Sequence, residues 1–242
     1  SSQVHKQVVR KRAEVRDIQM DPAIRLHYCV VDEPDMHNPL GDFERLLKAL
    51  REQWDIVDLE EIDMRALRTL QDALRKGEWK VTVALHRNLR ITAVWPGLVN
   101  SAYGLAFDIG STTIAAHLCD LSSGDVLTSG GVMNPQIRFG EDLMSRVSYV
   151  MMNPGGEADL TAAVRTAVSD LAKSVIDEAG VTADLVLSVT VVGNPIMHHL
   201  FLGINPIELG GAPFALATSS SMTIWATEVD LDSINPDARV YM

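Results

Sequence analysis

Gly104-Leu105-Ala106-Phe107-Asp108-Ile109-Gly110-Ser111-Thr112-Thr113 is the stretch on which the reading of the chain turns. Its apolar half, residues 104–109, predicts a short buried strand ending in Asp108 and Gly110. A second strand is predicted over residues 113–121, so the Gly110-Ser111-Thr112-Thr113 segment is the turn between two strands. Gly110 lets such a turn close tightly and approach an anion with no side chain in the way. Successive backbone N–H groups in a turn form a concavity for phosphate oxygens, and Thr112 and Thr113 add hydroxyl donors. Asp108, at the strand end, is placed to hold a hydrated Mg²⁺, an ion that keeps several waters and takes one or two carboxylates. The same string is compatible with an ordinary hairpin whose Gly, Ser and Thr only satisfy turn geometry.

Outward from this turn the pattern stays α/β. Ser122-Ser123-Gly124-Asp125 punctuates a turn, and residues 126–133 predict a third strand, broken at Gly130-Gly131. Helices are expected over 141–151 and 160–179, the latter with Val164, Val168, Leu171, Val175 and Ile176 on one face and Gly180 closing it. Residues 185–192 read as a buried, β-branched strand. Asn194-Pro195 then supplies an N-cap and first-turn proline for a helix over 196–202. The fold class is α/β: a ribonuclease-H-like unit, of the actin type, preceded by a small α+β domain. Gly193 and Asn194 lie at a helix N-terminus, where dipole and backbone donors favour anions. His198 and His199 are adjacent, so they cannot readily grip one metal and read as a pair partly packed and partly solvated. Asp142 and Arg146 stand four apart on a helix and suit an ion pair; a catalytic Asp142 and a water-orienting Gln136 are the other reading. Gly210-Gly211-Ala212 lacks a preceding strand and reads as a plain turn. The methionines, Met151-Met152 included, read as core filling, and Cys29 and Cys119 as small buried apolar residues.

Charge divides the chain. Residues 1–97 balance 16 Lys+Arg against 16 Asp+Glu, whereas residues 98–242 hold 5 against 16 and carry the whole net charge of −11. The boundary is placed at Trp95-Pro96-Gly97, giving a linker over 1–14, a small α+β domain over 15–97 and the lobe over 98–242. In the small domain, Ile24, Leu26, Tyr28 and Val30 predict the inward face of a strand. Helices follow, one with Phe43, Leu46, Leu47 and Leu50, the other capped at Asp63 with Leu67, Leu70 and Leu74 on one face and Gly77 as its stop. Two strands, 79–84 and 90–94, complete it. The acidic half argues against nucleic acid, which needs Lys and Arg to neutralise phosphates. The basic residues Lys6, Arg10, Lys11 and Arg12 read as a solvated linker. No run approaches the roughly 18 apolar residues of a membrane span. Two cysteines cannot build a disulfide framework, so a cytoplasmic setting is expected.

The 104–113 stretch resembles the first phosphate motif of the actin, sugar-kinase and DnaK-type chaperone superfamily. Asn134-Pro135-Gln136 with Gly140, Asp142 and Arg146 narrows the likeness. So does Gly193-Asn194-Pro195-Ile196-Met197-His198-His199-Leu200, followed by Gly203 and Ala212-Pro213-Phe214. In this order they resemble the ATP-dependent reductive activators of corrinoid proteins, across residues 98–242 and, less specifically, the first 97 residues as that family's linker and middle domain. The resemblance implies ATP and Mg²⁺ as cofactors, with Asp108 as the Mg²⁺-associated carboxylate through water. It makes Gly110, Ser111, Thr112 and Thr113 the phosphate loop and puts Gly193 and Asn194 beside the cleft. It implies a 2Fe–2S cluster in a domain other than these residues, a corrinoid methyltransferase protein as partner and an electron donor to the iron–sulfur domain, and leaves a homodimer open. No second Asp-x-Gly turn follows Gly110, and the chain stops at Val240-Tyr241-Met242 as a strand begins. The expectation is therefore an internal fragment holding one lobe, with weak ATP affinity and no turnover alone. A small-molecule kinase, another activase of the superfamily, or an actin-like nucleotide-switched scaffold are the alternatives.

Overall fold

The computed structural model describes residues 19–37 and 39–242; the expected linker over 1–14 and its basic residues lie outside the described residues. The chain forms two compact units, one of residues 19–102 with 120–124, the other of residues 103–119 with 125–242.

The smaller unit contains β1 (Ile24–Val30), α1 (Asp42–Trp54), β2 (Glu61–Ile62), α2 (Met64–Lys76), β3 (Lys80–His86) and β4 (Arg90–Pro96), with sheet order β1-β3-β4-β2. Leu46 and Leu50 of α1 and Leu70 and Leu74 of α2 bury against Val81, Val83, Leu85 and Ile91 of the sheet. Buried Asp42, at the start of α1, ties the helices together by accepting from Arg45 of its own helix (2.6 Å) and from Arg75 of α2 (2.8 Å). The expected faces need correction. In β1 Ile24 is buried as expected, but at the other end it is Cys29 that is buried, as is Val31 just beyond, while Val30 is 51% exposed. Its backbone N–H donates to Gln53 of α1 and its carbonyl accepts from the same side chain. In α2, Ala66 and Ala73 share the inner face with Leu70 and Leu74, and Leu67 is 40% exposed. Asp63 precedes α2 as expected, but makes no side-chain cap; it pairs with Arg90 at 3.2 Å.

The larger unit contains β5 (Tyr103–Ile109), β6 (Thr113–Asp120), β7 (Val126–Met133), α3 (Leu143–Met152), α4 (Gly156–Ala179), β8 (Val186–Gly193), α5 (Pro195–Leu202), β9 (Thr223–Trp225) and β10 (Arg239–Tyr241). Its sheet order is β7-β6-β5-β8-β10-β9. The three-residue β5–β6 link is too short for a parallel crossover, so that pair is antiparallel. β6–β7 is antiparallel, whereas β5–β8 and β8–β10 are parallel. Three antiparallel strands in sequence, then β8 and β10 added parallel on the side of the first with β9 antiparallel at the edge, make the ribonuclease-H-like, actin-type lobe. Apolar alternation on β5 and β6 and the Val164, Val168, Leu171, Val175 and Ile176 stripe of α4 all enter one core.

β7 does not break at Gly130-Gly131. A Cβ on Gly130 would lie 2.9 Å from Leu171 and 3.0 Å from Val175, so the glycine lets α4 press onto a continuous strand. The methionine expectation fails where it was most explicit: Met151 and Met152 are 61% and 74% exposed at the end of α3, beyond the stripe that Val147 and Val150 bury. Among the described residues no helix is long and apolar enough to cross a membrane.

Candidate functional site

β5 and β8 run parallel and in register to their last residues, with Asp108 beside Val192 and Ile109 beside Gly193. The turns that follow them, 110–112 and 193–194, are thereby neighbours at the carboxyl ends of the strands, where open α/β sheets place ligands. Each turn has a glycine for a steric reason. A Cβ on Gly110 would sit 2.8 Å from the Thr113 carbonyl oxygen, and one on Gly193 would sit 3.1 Å from that of Ile109.

The 110–113 loop is held from behind by a buried polar network. Asn134, Gln136 and Arg146 have no exposed surface. Asn134 Nδ2 donates to the Gly110 carbonyl (2.8 Å), Arg146 Nη2 donates to the Ser111 carbonyl, and Asn134 N–H donates to the Thr112 carbonyl (2.8 Å). A trans peptide points its C=O and its N–H in opposite directions. With the Gly110 and Ser111 carbonyls turned inward, the N–H groups of Ser111 and Thr112 are aimed away from the network. That orientation is the one an anion site needs. The N–H of Gly110 is not available for it, because it closes the turn onto the Thr113 carbonyl at 2.9 Å.

The network also relocates two residues singled out for catalysis. Gln136 Nε2 donates to the Leu160 carbonyl (2.9 Å), its Oε1 accepts from Arg146 (3.2 Å), and its N–H is capped by Asn134 (3.0 Å). A side chain so enclosed cannot orient a solvent water. Asp142 precedes α3 and caps it, accepting from the N–H (2.7 Å) and the hydroxyl (2.8 Å) of Ser145. It does not form the expected ion pair: the Arg146 guanidinium turns instead to Ser111, Gly140 (3.1 Å), Gln136 and the Met197 sulfur (3.4 Å). The hydrogen bonds from Ser145 hold the Asp142 carboxyl below its ordinary value. A carboxylate held low stabilises the fold above its unfolded value and stops doing so as pH falls through the folded one. Asp142→Ala is therefore expected to melt earlier than the parent at pH 7. The gap should close as pH drops below about 4; thermal melts showing a pH-independent gap would contradict the cap.

At the second turn, Asn194 Oδ1 accepts from Ile196 N–H (3.0 Å) and Met197 N–H (3.1 Å). The cap expected there is present, and it takes up two of the donors that an anion at the start of α5 would have used. His198 and His199 part as expected. His199 is buried: its Nδ1 lies 2.8 Å from the Pro195 carbonyl, and its Nε2 accepts from Ala217 N–H at 3.1 Å. A carbonyl can only accept and an amide N–H only donate, so the proton sits on Nδ1. His198 is half-buried, and burial, then the neighbouring His199, lower its pKa. It lines a cleft of about 250 Å³ with Gly193, Pro195, Leu216 and the Thr218–Ser221 segment.

Asp108 is exposed at the end of β5. Among the described residues no three His, Cys, Asp or Glu side chains gather as a metal cage. One carboxylate beside inward-held peptides fits Mg²⁺ carried on a phosphate, which needs no protein cage. The cysteines do not fit a 2Fe–2S cluster, which takes four ligands: there are two, Cys29 buried in the smaller unit with its thiol pushed up to about 12, and Cys119 on β6. Sequence reasoning missed the backing role of Asn134 and Arg146. A signal existed, since Arg146 shares a helical stripe with Val150.

A family model described as the RACo linker region matches residues 13–101, and one described as the RACo middle region matches residues 103–242. The word middle thus attaches to the lobe, not to the small domain that the sequence reading had given it. A curated relative, the corrinoid activation enzyme RamQ of Eubacterium limosum, is 33% identical over 138 residues, covering 57% of this chain and 23% of the relative. A solved structure described as a reductive activator for corrinoid, iron–sulfur protein superposes with a TM-score of 0.81 at 31% identity, covering 97% of this chain and 37% of that one. The chain thus spans well under half the length of either relative. With one model over the larger unit and the other over the smaller, the chain belongs to the RACo family of corrinoid reductive activators.

Proposed function

We propose that this chain is the linker and first ATPase lobe of an activator that returns corrinoid methyltransferase proteins from Co(II) to Co(I) at the expense of ATP. The observation that carries the ATP part is the 110–113 loop, with its carbonyls tied inward and the amides of Ser111 and Thr112 aimed outward beside Asp108. In this reading Ser111, Thr112 and Thr113 donate to the phosphates, and Asp108 orders the water shell of Mg²⁺. Gly110 lets its own turn close on Thr113, Gly193 lets the second turn approach Ile109, and Asn194 fixes the start of α5. The electron comes from a 2Fe–2S centre that the two cysteines here do not supply, fed by a separate donor, and the cobalt is carried by the corrinoid partner. The cytoplasm is the setting that suits such redox chemistry. A kinase reading would need Asp142 as base for an acceptor hydroxyl, and that carboxylate is spent on Ser145.

The test is ATP-dependent loss of the Co(II) electron-spin-resonance signal of a corrinoid protein, in a complete activator that includes this chain. The parent should bleach the signal with Mg-ATP and a reductant, and Asp108→Asn should not. Bleaching that is unaffected by Asp108→Asn, or that needs no ATP, would sink the reading.

A further inference from the structure

Arg146 is a fully buried cation whose hydrogen bonds all go to uncharged groups: two backbone carbonyls, the Gln136 amide oxygen and the Met197 thioether. A guanidinium keeps its charge across the neutral range. Burial pulls its pKa down, and the through-space charge of Asp142 only partly opposes that. The fold therefore holds a positive charge that no hydrogen-bonded carboxylate balances, immediately behind the loop whose outer amides await an anion.

The geometry also couples the two sides. Arg146 donates to the carbonyl of the Ser111–Thr112 peptide, and the N–H of that same peptide is the outward one of Thr112. A hydrogen bond to one end of a peptide polarises it and strengthens the donor at the other end. Asn134 does the same for the Gly110–Ser111 peptide, without the charge.

We infer that Arg146 is the positioning residue of this site and its buried counter-charge. It acts on a multivalent phosphate chain through the Ser111–Thr112 peptide rather than by contact. The inference rests on the phosphate-loop reading above and deepens it. The group recognised is the polyphosphate itself, and its recognition scales with charge. An ion of higher charge gains more from a cation one peptide layer away, so triphosphate is favoured over monophosphate.

The experiment is calorimetric titration of a complete activator that includes this chain with inorganic triphosphate and with Mg-ATP at several salt concentrations. The parent, Arg146→Lys and Arg146→Met are compared. The methionine variant is expected to bind both about tenfold more weakly, the loss of one charge-assisted interaction, and with a shallower salt dependence. The lysine variant keeps the charge but not the fork. It should lose affinity severalfold and retain the parent's salt dependence. Equal affinities in folded variants, or a methionine variant that is weaker with unchanged salt dependence, would overturn the inference and leave the loop reading standing. If the parent binds neither probe at millimolar concentration, the loop reading fails and the inference with it. Should the methionine variant not fold, the Arg146 Nε–H resonance of the parent decides. It should shift as triphosphate saturates, and a resonance that stays in place overturns the inference.

Discussion

Asn134→Ala is expected to lower the unfolding free energy by about 2–6 kcal/mol, because it orphans two groups at once at roughly 1–3 kcal/mol each. The Gly110 carbonyl loses the Asn134 side chain that donates to it, and the Gln136 N–H loses the acceptor that starts its 3₁₀ turn. The position has no exposed surface, so water cannot replace either partner without opening the site. The backbone bond from Asn134 N–H to the Thr112 carbonyl survives the substitution. The loop should therefore loosen at its Gly110 end first. Urea titration should show an earlier midpoint at unchanged slope, and hydrogen exchange should quicken at residues 110–111 before it does along β6. A midpoint shift worth under about 1 kcal/mol would mean that the network is not holding the loop.

Phe107→Ala carries an effect of similar or greater size by a different route. The ring is 2% exposed, in the middle of the strand that the sheet is built around, beside Val191 of β8. Truncation removes the transfer energy of the ring and leaves a cavity that two neighbouring strands cannot collapse to fill, at about 3–5 kcal/mol. The loss should fall on β5 and β8 together, so amide exchange in both should accelerate. Phe107→Leu should recover most of it. If the leucine variant is as unstable as the alanine variant, volume is not what the position contributes. Asp108 follows directly, so the alanine variant should also weaken whatever the β5 turn binds, whereas surface changes on α1 should not.

Much of this architecture was legible in the residues. The strand–turn–strand around Asp108, the α4 stripe and the Asn194-Pro195 cap obey local rules, apolar period and end chemistry, that tertiary packing did not overrule. Errors cluster where a neighbour decides. Gly130-Gly131 reads as a break until α4 is known to lie on it. The inner face of β1 depends on α1, whose Gln53 takes both backbone groups of Val30. β2, β9 and β10 have two or three residues each, too few to show alternation. At the site, the outward half of the loop could be read from its Gly, Ser and Thr. The inward half could not, because Asn134 and Arg146 act on backbone carbonyls, which leave no mark in the pattern of side chains. For the same reason Asp142 and Arg146, at ion-pair spacing, turned out to serve different masters: one the end of α3, the other the loop.

The close approach of Gly193 to Ile109 has a kinetic side. β6 and β7 can pair as a hairpin as soon as they exist, and β5 can join them through a three-residue link. The parallel partner of β5 arrives only after both long helices, and closing so wide a loop costs entropy before any contact rewards it. The two turns of the candidate site are therefore assembled by one of the latest events in the lobe. Refolding followed at β6 and β7 should run ahead of refolding followed at the site, and a chain caught between the two would have its sheet half built and its two turns still apart.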